Sequence, residues 1–415
     1  MTTTARTPAA GPRRTLPAAL EGLLARPLAS YHLVLGSAGL LLALGLVMVL
    51  SASSVYSLRV HGSSYHVFLR QAAWVAAGLP LAWAVARSRP STIRLLAYPL
   101  LLGSVLLLAL TYVPGIGVVV NGNRNWIDLG GPFRLQPSEL AKLALVLWGA
   151  HIYARKQRLL GEWKHLVVPF LPGAAVVVAL TVGQGDLGTA VVLMAITLTL
   201  LWVVGVPGWL FALALGVVGT VGVYFVTAEQ YRLARVRSFL DPFADVQGTG
   251  YQAAHSIYAF ATGEWWGVGL GASRQKWGSL PEAHTDFIFA VIGEELGLFG
   301  SLVVLILVLT LGYAGVRIAW RARDPFVRLA SAGLVGWLLS QALVNMGAVL
   351  GLMPITGIPL PLVSYGGSAL LPTLVAVGML ISFAKEEPGA RQALAVRRTL
   401  FRRRRGGARS VGVMS

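Results

Sequence analysis

The sequence predicts an all-α polytopic membrane protein with about ten transmembrane helices. Of its 415 residues, 56% are hydrophobic and only 12% are charged, whereas soluble domains carry about 25% charged residues. The mean hydropathy is +0.70. The apolar runs are long and unbroken, which favours spanning helices over the alternating strands of a β-barrel. The chain has no cysteine, which excludes disulfides and thiolate metal sites.

Ten candidate spans follow one another along the chain. Each is an apolar run long enough to approach the thickness of the hydrocarbon core. A Gly205-Val-Pro-Gly208 break separates the sixth span from the seventh, because proline inside a helix costs about 3 kcal/mol. The predicted spans lie near 32–54, 65–86, 92–113, 138–154, 164–183, 187–205, 207–227, 286–316, 326–350 and 364–384.

An even number of spans puts both termini on one side, and charge indicates which side. With both termini inside, most of the 34 Lys and Arg residues lie inside, as the positive-inside rule requires for cytoplasmic termini. Residues 1–28 are predicted to be a disordered cytoplasmic tail, 29–387 a transmembrane domain, and 388–415 a basic cytoplasmic tail. We interpret the net charge of +18 as a consequence of membrane topology and of attraction to anionic lipid, and not as a sign of nucleic-acid binding.

Three loops lie on the predicted outer side, at 114–137, 228–285 and 351–363. The second is the largest, joins the seventh span to the eighth, and contains a predicted short helix over 251–260 at the membrane surface. The stretch 351–368 is rich in proline and glycine and cannot form a continuous helix. A shaped re-entrant loop is favoured there over a tight extracellular turn, because irregular backbone at membrane depth must line a cavity or be buried in protein.

Asp286 is the candidate catalytic residue. It ends a polar run and begins an apolar one in LPEAHTDFIFAVIGEELG, residues 280–297, and a carboxylate within a membrane span costs about 2.5–3.5 kcal/mol on insertion scales. A partly desolvated acid with a raised pKa would suit a general base. The alternative is an ordinary solvated loop acid. His284 is a candidate to share the proton or contact substrate, or else a hydrogen-bonded support residue.

The second and fourth predicted spans contain three charged residues between them. Glu139 and Lys142 are three residues apart at the start of the fourth span, so they share a helix face. Arg70 in the second span is a candidate third member. An ion pair of this kind serves as structural glue or as the wall of an active site, and the residues leave both open. Asp186, at the outer end of a span, is interpreted as the N-cap of the next helix.

The large outer loop carries a cluster of basic residues, although the positive-inside bias places most Lys and Arg residues on the other side of the membrane. Such a cluster suits an anionic partner such as pyrophosphate, although solvated charges paired with Asp241 and Asp245 would also account for it. The cations are Arg232, Arg235, Arg237, Arg274 and Lys276.

Seven motifs stand out along the chain: NGNRNWI (121–127), QPSELAKLAL (136–145), GDLGTA (185–190), YRLARVRSFLDPFAD (231–245), GYQ (250–252), LPEAHTDFIFAVIGEELG (280–297) and PITGIPLPLVSYGGS (354–368). Together they resemble the SEDS family (shape, elongation, division and sporulation), and most of all its division-type members. The resemblance covers about 32–387. Ser364, in the last of these motifs, is a candidate substrate contact.

The resemblance implies a peptidoglycan glycosyltransferase of the bacterial cytoplasmic membrane. Such proteins polymerise lipid II into glycan strands at the outer face, here at the division septum, together with a class B penicillin-binding protein and other divisome membrane proteins. The essential acid of the family falls on Asp286, and the charged pair of its fourth helix falls on Glu139 and Lys142. The family also implies a divalent cation, Mg²⁺ or Mn²⁺, at an unknown site. The alternatives are an elongation-type polymerase, a lipid II flippase and a scaffold without activity.

Overall fold

The computed structural model describes residues 26–120, 122–128, 130, 134–227, 230–390 and 392–393. The predicted tail 1–28 lies almost wholly outside the described residues, as does most of the basic tail 388–415. In the largest outer loop, the side chains of Arg232, Arg235 and Arg237 also lie outside them. The predicted role of Arg237 as a substrate contact therefore stays a prediction.

All ten predicted spans coincide with helices. Seven helical stretches in the described part of the chain are long and apolar enough to cross a membrane, and two further apolar helices are shorter. The third and fifth spans are each divided into a short helix and a longer one. The helices are α1 Ala29–His61, α2 His66–Arg87, α3 Pro90–Leu95, α4 Ala97–Leu110, α5 Pro137–Arg155, α6 Trp163–Val167, α7 Phe170–Gly183, α8 Leu187–Val204, α9 Gly208–Thr227, α10 Gln230–Leu240, α11 Tyr251–Gly263, α12 Ile288–Arg321, α13 Pro325–Val349 and α14 Gly367–Ala384.

Local sequence signals set several helix ends. Helix α8 begins with Asp186, whose carboxylate accepts a hydrogen bond from Thr189 N at 3.1 Å, which confirms the predicted N-cap. The same helix ends at Gly205, whose φ of 83° lies in the left-handed region that favours glycine. Helix α13 begins with Asp324 as cap and Pro325 in its first turn, a position that suits proline because the N–H there lacks a helical partner.

The first outer loop forms a small antiparallel sheet, which the all-α prediction did not include. Its strands are β1 Gly117–Val120, β2 Asn123–Asp128 and β3 Arg134–Leu135, in the order β1-β2-β3. The strands are short and lie outside the predicted spans, where hydropathy carries little information about secondary structure. The membrane portion remains helical.

Helix α5 lies at the centre of the bundle and packs on α4, α8 and α13. Almost all of its side chains are buried, including the charged ones. Around it, α14 packs closely on α2, where Gly378 of α14 lies against the backbone carbonyl of Ala82, as small residues permit at membrane helix interfaces. The outer faces of α4 and α12 expose large apolar side chains such as Leu102 and Ile306, which suits contact with lipid.

Helix α12 is interrupted at Gly297, where φ is +66°, a break that the unbroken apolar pattern did not predict. The segment 264–269, which follows α11, lies beside the break and supplies partners for the free backbone groups on both sides. These hydrogen bonds run from Val268 N to Glu294 O, Gly269 N to Glu295 O, Leu298 N to Glu264 O and Phe299 N to Trp265 O, at 2.9 to 3.4 Å.

Candidate active site

A cavity of about 1460 Å³ opens at the end of the bundle that the charge bias predicts to be extracytoplasmic. Its walls come from α1, α2, the small sheet, the start of α8, parts of α9 and α10, and the loops before α12 and α14. The lining is mixed, with aromatic rings beside charged side chains, as ligand sites require. Its described acidic and guanidinium side chains are Arg70, Arg134, Asp186, Glu282 and Asp286.

Asp286 lies in the cavity wall, two residues before α12. Its side chain is half-buried. Its backbone carbonyl accepts a hydrogen bond from Asn345 Nδ2 at 2.8 Å. Gly357 lies next to the carboxylate, because a methyl group placed on Gly357 would stand 3.6 Å from Asp286 Oδ2. Asp286, Gly357 and Arg70 all line the same cavity.

The 350–366 loop is irregular and largely buried in protein. Ile358, Leu360, Leu362 and Val363 are all buried, and the segment contains no helix. The irregular backbone fits a shaped loop better than a tight turn, and the predicted re-entry of this loop to membrane depth stays a prediction. Ser364 serves this loop: its hydroxyl accepts a hydrogen bond from Leu360 N at 2.8 Å, and it does not belong to the cavity lining.

Glu139 and Lys142 form a fully buried ion pair with Lys142 Nζ 2.8 Å from Glu139 Oε1. Neither belongs to the lining of the cavity. The second partner of Lys142 is Gln341 Oε1, also at 2.8 Å, whereas Arg70 lies in the cavity wall. The geometry therefore favours the structural interpretation of this pair.

Lys276 is also buried, being only 6% exposed. Its ammonium group lies 3.0 Å from Glu295 Oε1 and donates to the carbonyl of Gly271 at 2.6 Å. Glu295 further accepts hydrogen bonds from Ser51 of α1. The cation is thus engaged in joining the outer loop to α1 and α12, and it does not line the cavity.

Glu294 holds the same segment of the outer loop through three hydrogen bonds. Its carboxylate accepts from the hydroxyl of Ser273, from Arg274 N at 2.9 Å and from Gln275 N at 3.3 Å. Glu294 and Glu295 are both completely buried. Acids with these partners serve the architecture of the loop rather than proton transfer.

His284 stacks on Tyr56, with ring centroids 5.1 Å apart, and lies 5.6 Å from the ring of Tyr365. Its carbonyl accepts a hydrogen bond from Tyr365 N at 3.0 Å. Burial lowers the pKa of His284, and the opposing effect of Glu282 is the smaller one. The ring is therefore neutral at physiological pH and supports the cavity wall, with Tyr56 and Tyr365 in the lining.

Arg134 and Asp186 line the cavity and were not predicted as site residues from the sequence. Arg134 is exposed at the start of β3, two residues before the QPSELAKLAL motif. The signal available for it was a basic residue in a predicted outer loop, where the positive-inside bias disfavours one. Asp186 does more than cap α8, because Gln136 Nε2, Ser138 Oγ and Asn125 Nδ2 donate to it at 2.9, 3.2 and 3.3 Å. It thereby joins the small sheet to α5 and α8.

The described part of the chain contains no group of three His, Asp or Glu side chains placed to hold a metal ion. Mg²⁺ in enzymes is commonly bound by one or two carboxylates together with substrate phosphates. The predicted divalent cation therefore stays a prediction, and a shared site with a phosphate-bearing substrate is the arrangement that this cavity could offer.

The fold and the cavity define a multi-pass helical membrane protein with an acid-bearing cavity at one end of its helical bundle. Residues 31–388 match the model of the cell cycle protein family that comprises FtsW, RodA and SpoVE. The chain belongs to this family.

Curated relatives extend over most of the chain. It is 42% identical over 371 residues to a probable peptidoglycan glycosyltransferase FtsW of Mycobacterium tuberculosis, covering 89% of this chain and 71% of the relative. It is 39% identical to the corresponding protein of Legionella pneumophila, covering 87% and 92%. It is 37% identical to the stage V sporulation protein E of Bacillus subtilis, covering 83% and 94%.

Two solved structures share the fold. A chain from a peptidoglycan synthase complex that coordinates polymerization and crosslinking superposes with a TM-score of 0.69 at 31% identity, covering 85% of this chain and 96% of that one. The rod shape determining protein RodA of Thermus thermophilus superposes with a TM-score of 0.62 at 30% identity, with the same coverage.

Proposed function

We propose that this chain is a peptidoglycan glycosyltransferase that polymerises lipid II into glycan strands at the outer face of the cytoplasmic membrane during septal wall synthesis. The observation that carries the proposal is the half-buried carboxylate of Asp286 in the wall of a large outer cavity. Membership of the FtsW, RodA and SpoVE family supports the reaction class. The relation to a synthase complex supports a penicillin-binding protein as partner.

In the proposed reaction, the 4-hydroxyl of the acceptor's terminal N-acetylglucosamine attacks C1 of the donor's N-acetylmuramic acid. The new C1–O bond forms as the bond from C1 to the lipid pyrophosphate breaks. Asp286 takes the hydroxyl proton as general base. A single displacement inverts the α-linked donor to a β-linked strand.

The departing pyrophosphate carries negative charge that the site must stabilise. Arg70 and Arg134 are the guanidinium groups in the described lining, and guanidinium binds phosphate oxygens in a bidentate manner. They are better placed for this role than Lys276, because Lys276, like Lys142, is buried in an ion pair with a glutamate. A divalent cation shared between a carboxylate and the pyrophosphate would supply further charge.

The test compares the wild type with Asp286→Asn in polymerisation of lipid II by the chain and its penicillin-binding partner. Loss of the base is expected to lower kcat by about 10²- to 10⁴-fold, while lipid II still binds. Glu264→Gln is the control, since Glu264 is an exposed outer acid away from the cavity lining. Full polymerisation by Asp286→Asn would remove Asp286 as the base, and transfer of lipid II across sealed vesicles without polymer would favour a flippase.

A further inference from the structure

Helix α13 carries two buried amide side chains one turn apart, Gln341 and Asn345. They are 1% and 2% exposed. Neither lines the cavity, yet both donate hydrogen bonds to the backbone of the 350–366 loop, Gln341 to Pro359 O at 2.9 Å and Asn345 to Ile358 O at 2.8 Å. Buried polar side chains are kept only with partners that offset their desolvation.

Asn345 also donates a hydrogen bond to the backbone carbonyl of Asp286. Both hydrogens of its amide are used, one for Ile358 O and the other for Asp286 O, each at 2.8 Å. One amide group therefore joins the segment that carries Asp286 to the neighbouring 350–366 loop. Gly357, beside Ile358 in that loop, lies next to the carboxylate of Asp286.

Gln341 extends the same connection to the centre of the bundle. Its Oε1 accepts from Lys142 Nζ and from Trp337 Nε1, both at 2.8 Å, and Lys142 is paired with Glu139. A continuous set of hydrogen bonds thus runs from the buried ion pair of α5, through α13, to the loop beside Asp286. Hydrogen bonds between buried groups are stronger than in water, because the effective dielectric constant is low there, and they restrict the arrangement of the groups that they join.

Asp286 precedes helix α12, whose N-cap Phe287 makes no side-chain capping hydrogen bond. The backbone on either side of Asp286 is held by the turn in which Phe287 N donates to Glu282 O at 3.1 Å, and the carbonyl of Asp286 is held by Asn345. We propose that Asn345 is a positioning residue that holds the Asp286 carboxylate at the cavity wall, with Gln341 anchoring the neighbouring 350–366 loop. This inference rests on the proposed function, because it assumes that Asp286 is the general base.

The test measures lipid II polymerisation by Asn345→Leu, which keeps the branched shape of the side chain and removes both donors. Because a displacement of about 1 Å can cost 100-fold in rate, kcat is expected to fall by about 10- to 100-fold, with lipid II binding retained. The acidic limb of the pH profile of kcat is expected to move, since the surroundings of the base change. Gln341→Leu should lower kcat less, because it leaves the contact to Asp286 intact.

Met346→Leu is the matched control, a similar-sized exchange at a neighbouring buried position of α13, and is expected to keep the wild-type kcat and pH profile. Asn345→Ser provides a second variant, which retains one donor with shorter reach and should give an intermediate kcat. Wild-type kcat and pH profile in any folded Asn345 variant would overturn the inference. So would a loss of lipid II binding equal to the loss in kcat.

Failure of this inference can be distinguished from failure of the proposed function. If Asp286→Asn polymerises normally, the assignment of Asp286 as the base is wrong, and so is the positioning role of Asn345. If Asp286→Asn is inactive while Asn345→Leu is fully active, the base stands and only the role of Asn345 is removed.

Discussion

Three carboxylates in one short stretch, Asp286, Glu294 and Glu295, differ in function because their surroundings differ. Glu294 and Glu295 are completely buried and accept hydrogen bonds from the outer loop, Ser51 and Lys276. Asp286 is half-buried and open to the cavity. Asp286 lines the cavity that a substrate would enter, which supports its proposed role in proton transfer.

Lys276→Met is predicted to destabilise the protein. It leaves Glu295 buried without its cation, and breaking a buried pair from one side costs about 3–5 kcal/mol. Thermal unfolding in detergent measures the change. The double variant Lys276→Met with Glu295→Gln should regain part of the loss, because it removes the uncompensated charge. A weakened affinity for lipid II with unchanged stability would instead restore Lys276 as a substrate contact.

The pKa of His284 predicts a pH dependence of stability. Burial lowers the folded-state pKa of His284 below its ordinary value, so below about pH 6.5 the unfolded chain binds the proton more readily than the folded one. The contribution of His284 to stability is therefore present above that pH and is lost as the pH falls. Unfolding of the wild type and of His284→Gln between pH 7.5 and 5 should show the smaller loss for the variant. Parallel curves would contradict this expectation.

At the scale of elements, the outer loop is fitted closely to α12. Gly263 at the end of α11 lies against the backbone of Gly293, where a Cβ would meet the carbonyl oxygen. The segment that follows α11 then satisfies the backbone groups at the Gly297 break. The position of the N-terminal half of α12, which follows Asp286, thus depends on a loop that precedes it in the chain.

Gly263→Ala is predicted to disturb this fit. The new methyl group clashes with backbone, which cannot rotate away as a side chain can, and overpacking costs typically about 1–3 kcal/mol. The expected result is a lower unfolding temperature in detergent and reduced polymerisation. Gly216→Ala on α9 is the matched control, because nothing lies within 4 Å of its added Cβ and alanine favours a helix. Equal effects of the two substitutions would contradict the prediction.

At the scale of the whole molecule, the charge bias predicts which end of the bundle faces outward. The chain has no cysteine, so a single introduced thiol reports its own location. Ala272→Cys in the exposed outer loop should react with a membrane-impermeant maleimide in intact cells, whereas Gly161→Cys, exposed at the other end, should react only after lysis. The reverse pattern would place the Asp286 cavity on the cytoplasmic side.

The order of the spans and the location of Asp286 could be predicted because hydropathy and charge act locally along the chain. Each predicted span falls on a helix, although α12 contains a break whose partner segment lies some thirty residues earlier in sequence. The small sheet in the first outer loop escaped prediction because its strands are two to six residues long, and short strands carry little periodicity.

The sequence by itself determined a ten-span helical membrane protein with an exceptional acid at the start of the eighth span. The order of residues shows where a charged side chain meets an apolar run, and placing a charge in hydrocarbon is costly. Only the tertiary structure decided which charges share a site. It put Arg70 and Arg134 in the cavity and enclosed Lys142 and Lys276 in ion pairs. The physical reason is that a side chain's partners depend on which helix faces and loops meet, and that pairing is set by packing between segments distant in sequence.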